Sequence, residues 1–340
     1  MLPGDVLDFY RGRCVLVTGG LGFIGSNLAH RLVELGSEVV LVDSLIPEYG
    51  GNLANIAGIE DAVRVNVSDV RDEHSLPSLI RSQEVLFNLA GQTSHVDSLH
   101  DPFTDLDINC RSQLSILETC RGHNPDVKVV FASTRQLYGR PRYLPVDEQH
   151  PLAPVDPNGV NKAAGEAYHL VYGQVYGLRC SILRLTNTYG PRMRVKDDRQ
   201  TFLGTWLRLA VEGEELPIFG DGSQRRDFTY VDDAVDAFLL AGARDEADGE
   251  IFNLGGEPPV SLLELAELLI EVAGGGSYRV VPFPEERRSI DIGDYFADDA
   301  KIRGRLGWEP AVPLREGLAR SLDYYRAYGP AYWERPQGQD

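Results

Sequence analysis

The chain has 340 residues, 43% of them hydrophobic, enough to bury a sizeable core in one large domain or two modest ones without covalent staples. Its formal charge of -18 repels nucleic-acid phosphates, so any anionic ligand has to be met by a local cluster of cations. The opening residues MLPGDVLDFYRGR lack the apolar run of a secretion signal, and no stretch reaches the roughly 18 apolar residues of a membrane helix, so a soluble cytoplasmic protein with neither membrane nor nucleic-acid partners is expected.

In chain order, CVLVTG, EVVLVDS, EVLFNLAG, KVVFAS and CSILRL read as strands. Between them lie helical stretches such as SNLAHRLVELG, one near Phe103 to Arg121 and one near Gly159 to Tyr176. Strands that are apolar throughout, alternating with helices, predict an α/β fold: a Rossmann-type, doubly wound parallel sheet over residues 1–185. After Leu185 the texture turns to loops rich in Arg, Gly and Pro, with helices near Phe202 to Glu212, Val231 to Ala241 and Ser261 to Ala273. A smaller C-terminal α/β substrate lobe is therefore expected over 186–330, with GEIFNLGG as a return strand near 250–256 and a free tail at 335–340. Cys14, Cys110, Cys120 and Cys180 sit singly in apolar runs without ligand spacing and read as structural thiols, with no metal site.

In CVLVTGGLGFIGSNLA, Gly19, Gly22 and Gly25 follow a strand and open a helix, a turn that lets backbone approach a pyrophosphate at a helix N-terminus. The second strand ends in Asp43, placed to accept hydrogen bonds from an adenosine ribose and to disfavour a 2'-phosphate. NAD is the cofactor these residues predict. The TGxxGxxG spacing and several later motifs resemble the extended short-chain dehydrogenase/reductase family, in its nucleotide-sugar epimerase/dehydratase group, over nearly the whole chain from Val15 to about Tyr325. The resemblance implies further cofactor contacts at Phe23 and Ile24 in the turn, at Asp69 and Val70, and at Leu89, Ala90 and Gly91, while Asn109 steadies the sheet and the cofactor loop.

Resembling proteins carry a serine or threonine at the end of the fifth strand and a Tyr-x-x-x-Lys pair on the next helix. Residues four apart share a helix face, so the lysine lowers the tyrosine pKa and the phenol moves a proton to or from the sugar. Here Thr134 holds the hydroxyl position and Lys162 the lysine position, but Asn158 stands where tyrosine is expected. An amide has no proton to exchange near neutral pH, so Asn158 can orient a substrate oxygen but not act as acid or base. Lys162, His95 and Tyr138 are the alternative proton carriers, His95 otherwise being a polar loop residue and Tyr138 a packing residue. Resembling dehydratases place acids where this chain has Arg135 and Gln136, which argues against dehydration; Arg135 can instead meet an anionic group.

On the substrate side, Asn187 and Arg226 match residues that resembling proteins use on a nucleotide diphosphate, Arg288 matches a second diphosphate arginine, and Asp291 an acid on the nucleotide ribose. Tyr189, Gln200 and Thr201 are expected to line the sugar pocket with His95, and Arg192, Arg194, Lys196 and Arg199 form either an anion site or a solvated loop. The resemblance implies an NAD-dependent epimerase acting at carbon 4 of a UDP-hexose and working as a homodimer. A sugar-nucleotide oxidoreductase, or a protein that binds NAD and a nucleotide sugar without turnover, are the alternatives that Asn158 leaves open.

Overall fold

The computed structural model describes residues 2–72, 74–199, 201–256 and 258–333, so Gln200 and the tail expected at 335–340 lie outside the described residues. Seven parallel strands form the central sheet: β1 (Cys14–Thr18), β2 (Glu38–Asp43), β3 (Val63–Val67), β4 (Val85–Asn88), β5 (Lys128–Thr134), β6 (Arg179–Leu185) and β7 (Ile251–Asn253). Their order is β7-β6-β5-β4-β1-β2-β3. Alternate residues of each inner strand feed two separate cores. Val15, Val17 and Phe87 pack with Leu28 and Leu32 of α1 (Phe23–Glu34) and with Val235 and Phe238 of the helix Val231–Ala243. Leu16, Leu86 and Val129 pack with Ile116 and Leu117 of α2 (Ser112–His123) and with Tyr172 of α3 (Pro157–Tyr176). Each such side chain stabilises the fold by about 1.5–3 kcal/mol, and burial on both faces is why these strands read as unbroken apolar runs.

The strand order reverses between β1 and β4, which opens a crevice at their carboxyl ends. Two local features depart from the sequence pattern. β3 is a half-exposed edge strand whose Arg64 and Asn66 interrupt the apolar run, so it does not stand out among the inner strands. The helix expected near Phe103 to Arg121 is divided into Pro102–Leu106, a π-helical turn at Asp107–Arg111, and α2. That turn carries Asn109 in its buried centre, and such widened turns recur where a side chain is aimed for function.

The helix Val231–Ala243 lies on the sheet and β7 pairs in parallel with β6, so both interrupt the stretch 186–330. The remainder of that stretch forms a second layer. Helices Phe202–Glu212, Leu262–Ala273 and Leu314–Tyr328 share a core of Leu203, Leu207, Leu265, Leu269, Leu318 and Leu322, beside the parallel pair Leu216–Phe219 and Tyr278–Val281. Among the described residues, no helix is long and apolar enough to cross a membrane.

Candidate active site

One cleft runs across the carboxyl ends of β1, β2 and β4, and it gathers Gly19, Gly22, Phe23, Ile24, Gly25, Asp43, Asp69, Val70, Leu89, Ala90 and Gly91. Gly19 has φ 67°, a left-handed conformation that a side chain would strain. A Cβ there would come within 2.9 Å of the Leu89 carbonyl oxygen, and one on Gly25 would collide with the Gly19 carbonyl. Bare backbone at the N-terminus of α1, with Gly22 as its cap residue, is the surface a pyrophosphate needs. The Asp43 carboxylate accepts the backbone N–H of Leu21 at 3.0 Å and of Leu45 at 2.9 Å, which anchors it at the cleft. Burial raises its pKa, and those N–H donors oppose the rise. Asp69 is ion-paired to Arg71 at 2.6 Å, and that pairing lowers its pKa. These residues fit NAD.

At the far end of the cleft, Thr18 Oγ1 accepts the N–H groups of Leu89 and Ala90, both at 3.1 Å, and so fixes the end of β4. Lys162, from α3, is buried; its Nζ donates to the Ala132 carbonyl at 3.1 Å and lies 4.9 Å from the Phe131 ring centre. Burial lowers its pKa to about 8, against the pull of Asp105 and Glu166. A Cβ on Gly91 would meet Lys162 Nζ and Asn109 Oδ1, each at 3.0 Å, so the loop passes directly over both. Thr134 lines the cleft, and its Oγ1 accepts the Gln136 N–H at 3.2 Å, leaving its own proton to donate.

Asn158 also borders the cleft, but its amide nitrogen is turned inward. It donates to the Gln92 carbonyl at 2.8 Å and to Asp105 Oδ2 at 3.0 Å. Asn109 lies behind the cleft wall and donates to the same two acceptors, at 2.9 and 3.0 Å, while Asn161 donates to Asp105 Oδ1 at 2.7 Å. A fully buried carboxylate is thus held by three asparagines under the Gln92 loop. The expected use of the Asn158 amide to orient a sugar is not the use its nitrogen makes. Asp105 and Gln92 were not anticipated; only the pairing of elements distant in sequence reveals them.

A second cavity adjoins the first and is lined by Arg226, Asp291, Asn187, Thr201, Arg199 and Arg287, among others. Arg226 is buried, 3.8 Å from Asp291, and burial together with the nearby Arg135 lowers its pKa to about 10. Arg135 donates to Asn187 Oδ1 at 3.0 Å, and its other terminal nitrogen has no hydrogen-bond partner among the described residues. Two desolvated guanidinium groups facing one cavity suit a diphosphate.

Some expected residues lie elsewhere. Arg288 points outward and pairs with Glu285 at 3.2 Å; its neighbour Arg287, one step around the same short helix Glu285–Arg288, lines the cavity and pairs with Asp198 at 2.6 Å. Tyr189 is a core residue whose hydroxyl donates to the Leu314 carbonyl. Tyr138 is fully buried between Asn253 and Arg184, and burial pushes its pKa up to about 12. Of the cationic run, Arg192 bonds Asn55 and Asn27, Arg194 pairs with Asp197, Lys196 is exposed, and Arg199 reaches the second cavity.

His95, Arg135, Gln136, Asn187 and Thr201 line both cavities and so mark their junction. His95 Nδ1 lies 3.0 Å from the buried carboxylate of Asp156, the N-cap of α3.

The sequence pattern of the NAD dependent epimerase/dehydratase family matches residues 15–255. A UDP-glucose 4-epimerase of Mycolicibacterium smegmatis is 33% identical over 315 residues, which span 92% of this chain and 98% of that one. A dTDP-glucose 4,6-dehydratase of Streptomyces niveus is 30% identical over 338 residues, 96% of each chain. The solved UDP-glucose 4-epimerase of Thermotoga maritima with UDP-glucose superposes with a TM-score of 0.83 at 33% identity, covering 92% of this chain and 99% of its own. The chain belongs to the NAD-dependent epimerase/dehydratase family, and its cofactor is NAD.

Proposed function

We propose that this protein is a nucleotide-sugar epimerase that inverts carbon 4 of a UDP-hexose by transient oxidation and re-reduction. The observation that carries this reading is the junction of the two cavities at Arg135, Asn187 and Thr201, beside Thr134 of the first: a cofactor cleft opens directly onto a cationic cavity suited to a diphosphate. NAD, when bound, supplies the reversible hydride acceptor. Thr134 donates a hydrogen bond to the carbon 4 oxygen, Lys162 holds the cofactor ribose, and Arg226 and Asn187 hold the diphosphate, with Asp291 and Thr201 completing the pocket. Arg135 and Gln136 stand where resembling dehydratases carry acids, so no carboxyl group there is available to protonate a leaving hydroxyl. The lobe division follows: 1–185 with Val231–Ala243 and β7 hold the cofactor, and the rest of 186–330 holds the nucleotide sugar.

The assay is incubation with UDP-glucose, UDP-galactose and their N-acetyl and uronate forms, with chromatographic separation of products. Interconversion of at least one pair with no net change in reduced nicotinamide supports the reading. Stoichiometric NADH formation would instead indicate an oxidoreductase, and absence of both would indicate a binding protein.

We further infer a homodimer. Pro102–Leu106 and α3 expose Phe103 at 77%, together with Leu106, Val160, Val171 and Val175. Apolar side chains concentrated on two adjacent helical segments fit a second copy of the same face.

A further inference from the structure

The structure assigns the proton-carrying duty of the missing tyrosine to His95, positioned by Asp156; the assignment rests on the epimerase reading above. Among the described residues five line both cavities, and of these only His95 carries an imidazole, a side chain that can both take and give a proton. Its imidazole is the first residue of the helix His95–His100, and Ser94 caps that helix by accepting the Asp97 N–H at 3.1 Å. The ring therefore projects from a fixed backbone.

Asp156 is buried and immobilised. Its Oδ1 accepts the Gly159 N–H at 2.7 Å, and its Oδ2 accepts Gln136 Nε2 at 3.0 Å. Burial alone would raise its pKa, but the contact with His95 and these N–H donors hold it below the usual carboxylate range. A carboxylate 3.0 Å from Nδ1 selects the tautomer that carries its proton there and leaves Nε2 as the base. The contact lies off the N–H axis, since Nδ1 makes no aligned hydrogen bond, a looseness common before a substrate is bound. Nε2 has no hydrogen-bond partner among the described residues. The other charges around the ring are Asp97 on its own helix, ion-paired to Arg199 at 3.8 Å, and Arg135 and Lys162 across the cavities.

The step balances. As the carbon 4 C–H bond gives up its hydrogen with both electrons to the bound cofactor, the O–H bond breaks, its electron pair forms the C=O bond, and the proton goes to Nε2. On return the imidazolium gives that proton back to the oxygen, and nothing is consumed. Lys162, bonded to the Ala132 carbonyl, is left to hold the cofactor.

The test uses the NAD-loaded protein and the His95→Gln, His95→Ala and Asp156→Asn variants. Expected for H95Q is a kcat lower by about a hundredfold or more, with KM changed by less than about threefold and unchanged UDP and NAD affinities by calorimetry. Free imidazole should restore turnover to H95A, which it would not do for a merely structural residue. D156N keeps the helix cap, because asparagine caps as well as aspartate, yet should remove the far-downfield Nδ1 proton resonance expected by NMR in the unaltered protein once UDP-hexose and NAD are bound. Parental turnover in H95Q, or no downfield proton in the unaltered protein with both bound, would overturn the dyad and leave epimerisation standing. No sugar nucleotide turned over by the unaltered protein would overturn the epimerase reading, and the catalytic duty of the dyad with it.

Discussion

Replacing Lys162 with Met should make the cofactor-free protein more stable while removing its function. Lys162 is buried, and its pKa falls from the 10.5 of an ordinary lysine to about 8 because burial penalises the charge more than Asp105 and Glu166 repay it. At 1.36 kcal/mol per tenfold, that gap amounts to about 3 kcal/mol of destabilisation at neutral pH. Methionine removes this cost but also the bond from Nζ to the Ala132 carbonyl, worth about 1 kcal/mol, so the expected net gain is about 2 kcal/mol. A depressed lysine pKa means that the unfolded chain binds the extra proton. The parental deficit is therefore full below about pH 8 and shrinks as pH rises from about 8 to 10.5. Urea unfolding of cofactor-stripped protein at pH 7 and near pH 10.5 measures both ends. A K162M variant that is no more stable than the parent at pH 7, or a difference that does not shrink with rising pH, would show that the buried charge of Lys162 does not destabilise the fold.

Gly25→Ala should lower NAD affinity at least tenfold by calorimetry, because the new Cβ collides with backbone rather than with a side chain that can swing away. Arg226→Gln should weaken UDP binding by about thirtyfold, the worth of charge-assisted hydrogen bonds to a diphosphate, and leave NAD binding unchanged. Phe103→Glu places a charge on the exposed apolar face of Pro102–Leu106 and α3, and it should shift the protein from dimer to monomer in sedimentation. A parental sedimentation coefficient in that variant would place any dimer contact elsewhere.

What could be read from the sequence was local. The turn from Gly19 to Gly25 is contiguous, its spacing is demanded by backbone geometry, and its cleft follows from the strand that precedes it. The absence of a tyrosine at Asn158 was equally plain. His95 was one of three candidates for its duty, but its partner was hidden, because His95 and Asp156 lie 61 positions apart and Asp156 advertises only a helix cap before Pro157. Asp105 likewise gives no sign that it gathers Asn158 and Asn161 beside its near neighbour Asn109, since those two contacts exist only once Pro102–Leu106 meets α3. The choice between Arg287 and Arg288 turns on the phase of a single helical turn. Tyr189 misled for the opposite reason: it follows Asn187 closely in sequence but is carried into the core.

The proposed reaction inverts carbon 4 by removing and returning the same hydrogen. Incubating the protein with the UDP-hexose panel, each member deuterated at carbon 4, and analysing the products by mass spectrometry and NMR tests it most directly. At least one sugar should yield its carbon 4 epimer with the deuterium retained at that carbon. Failure of every sugar to epimerise, or an epimer whose deuterium has been lost to water, would contradict it.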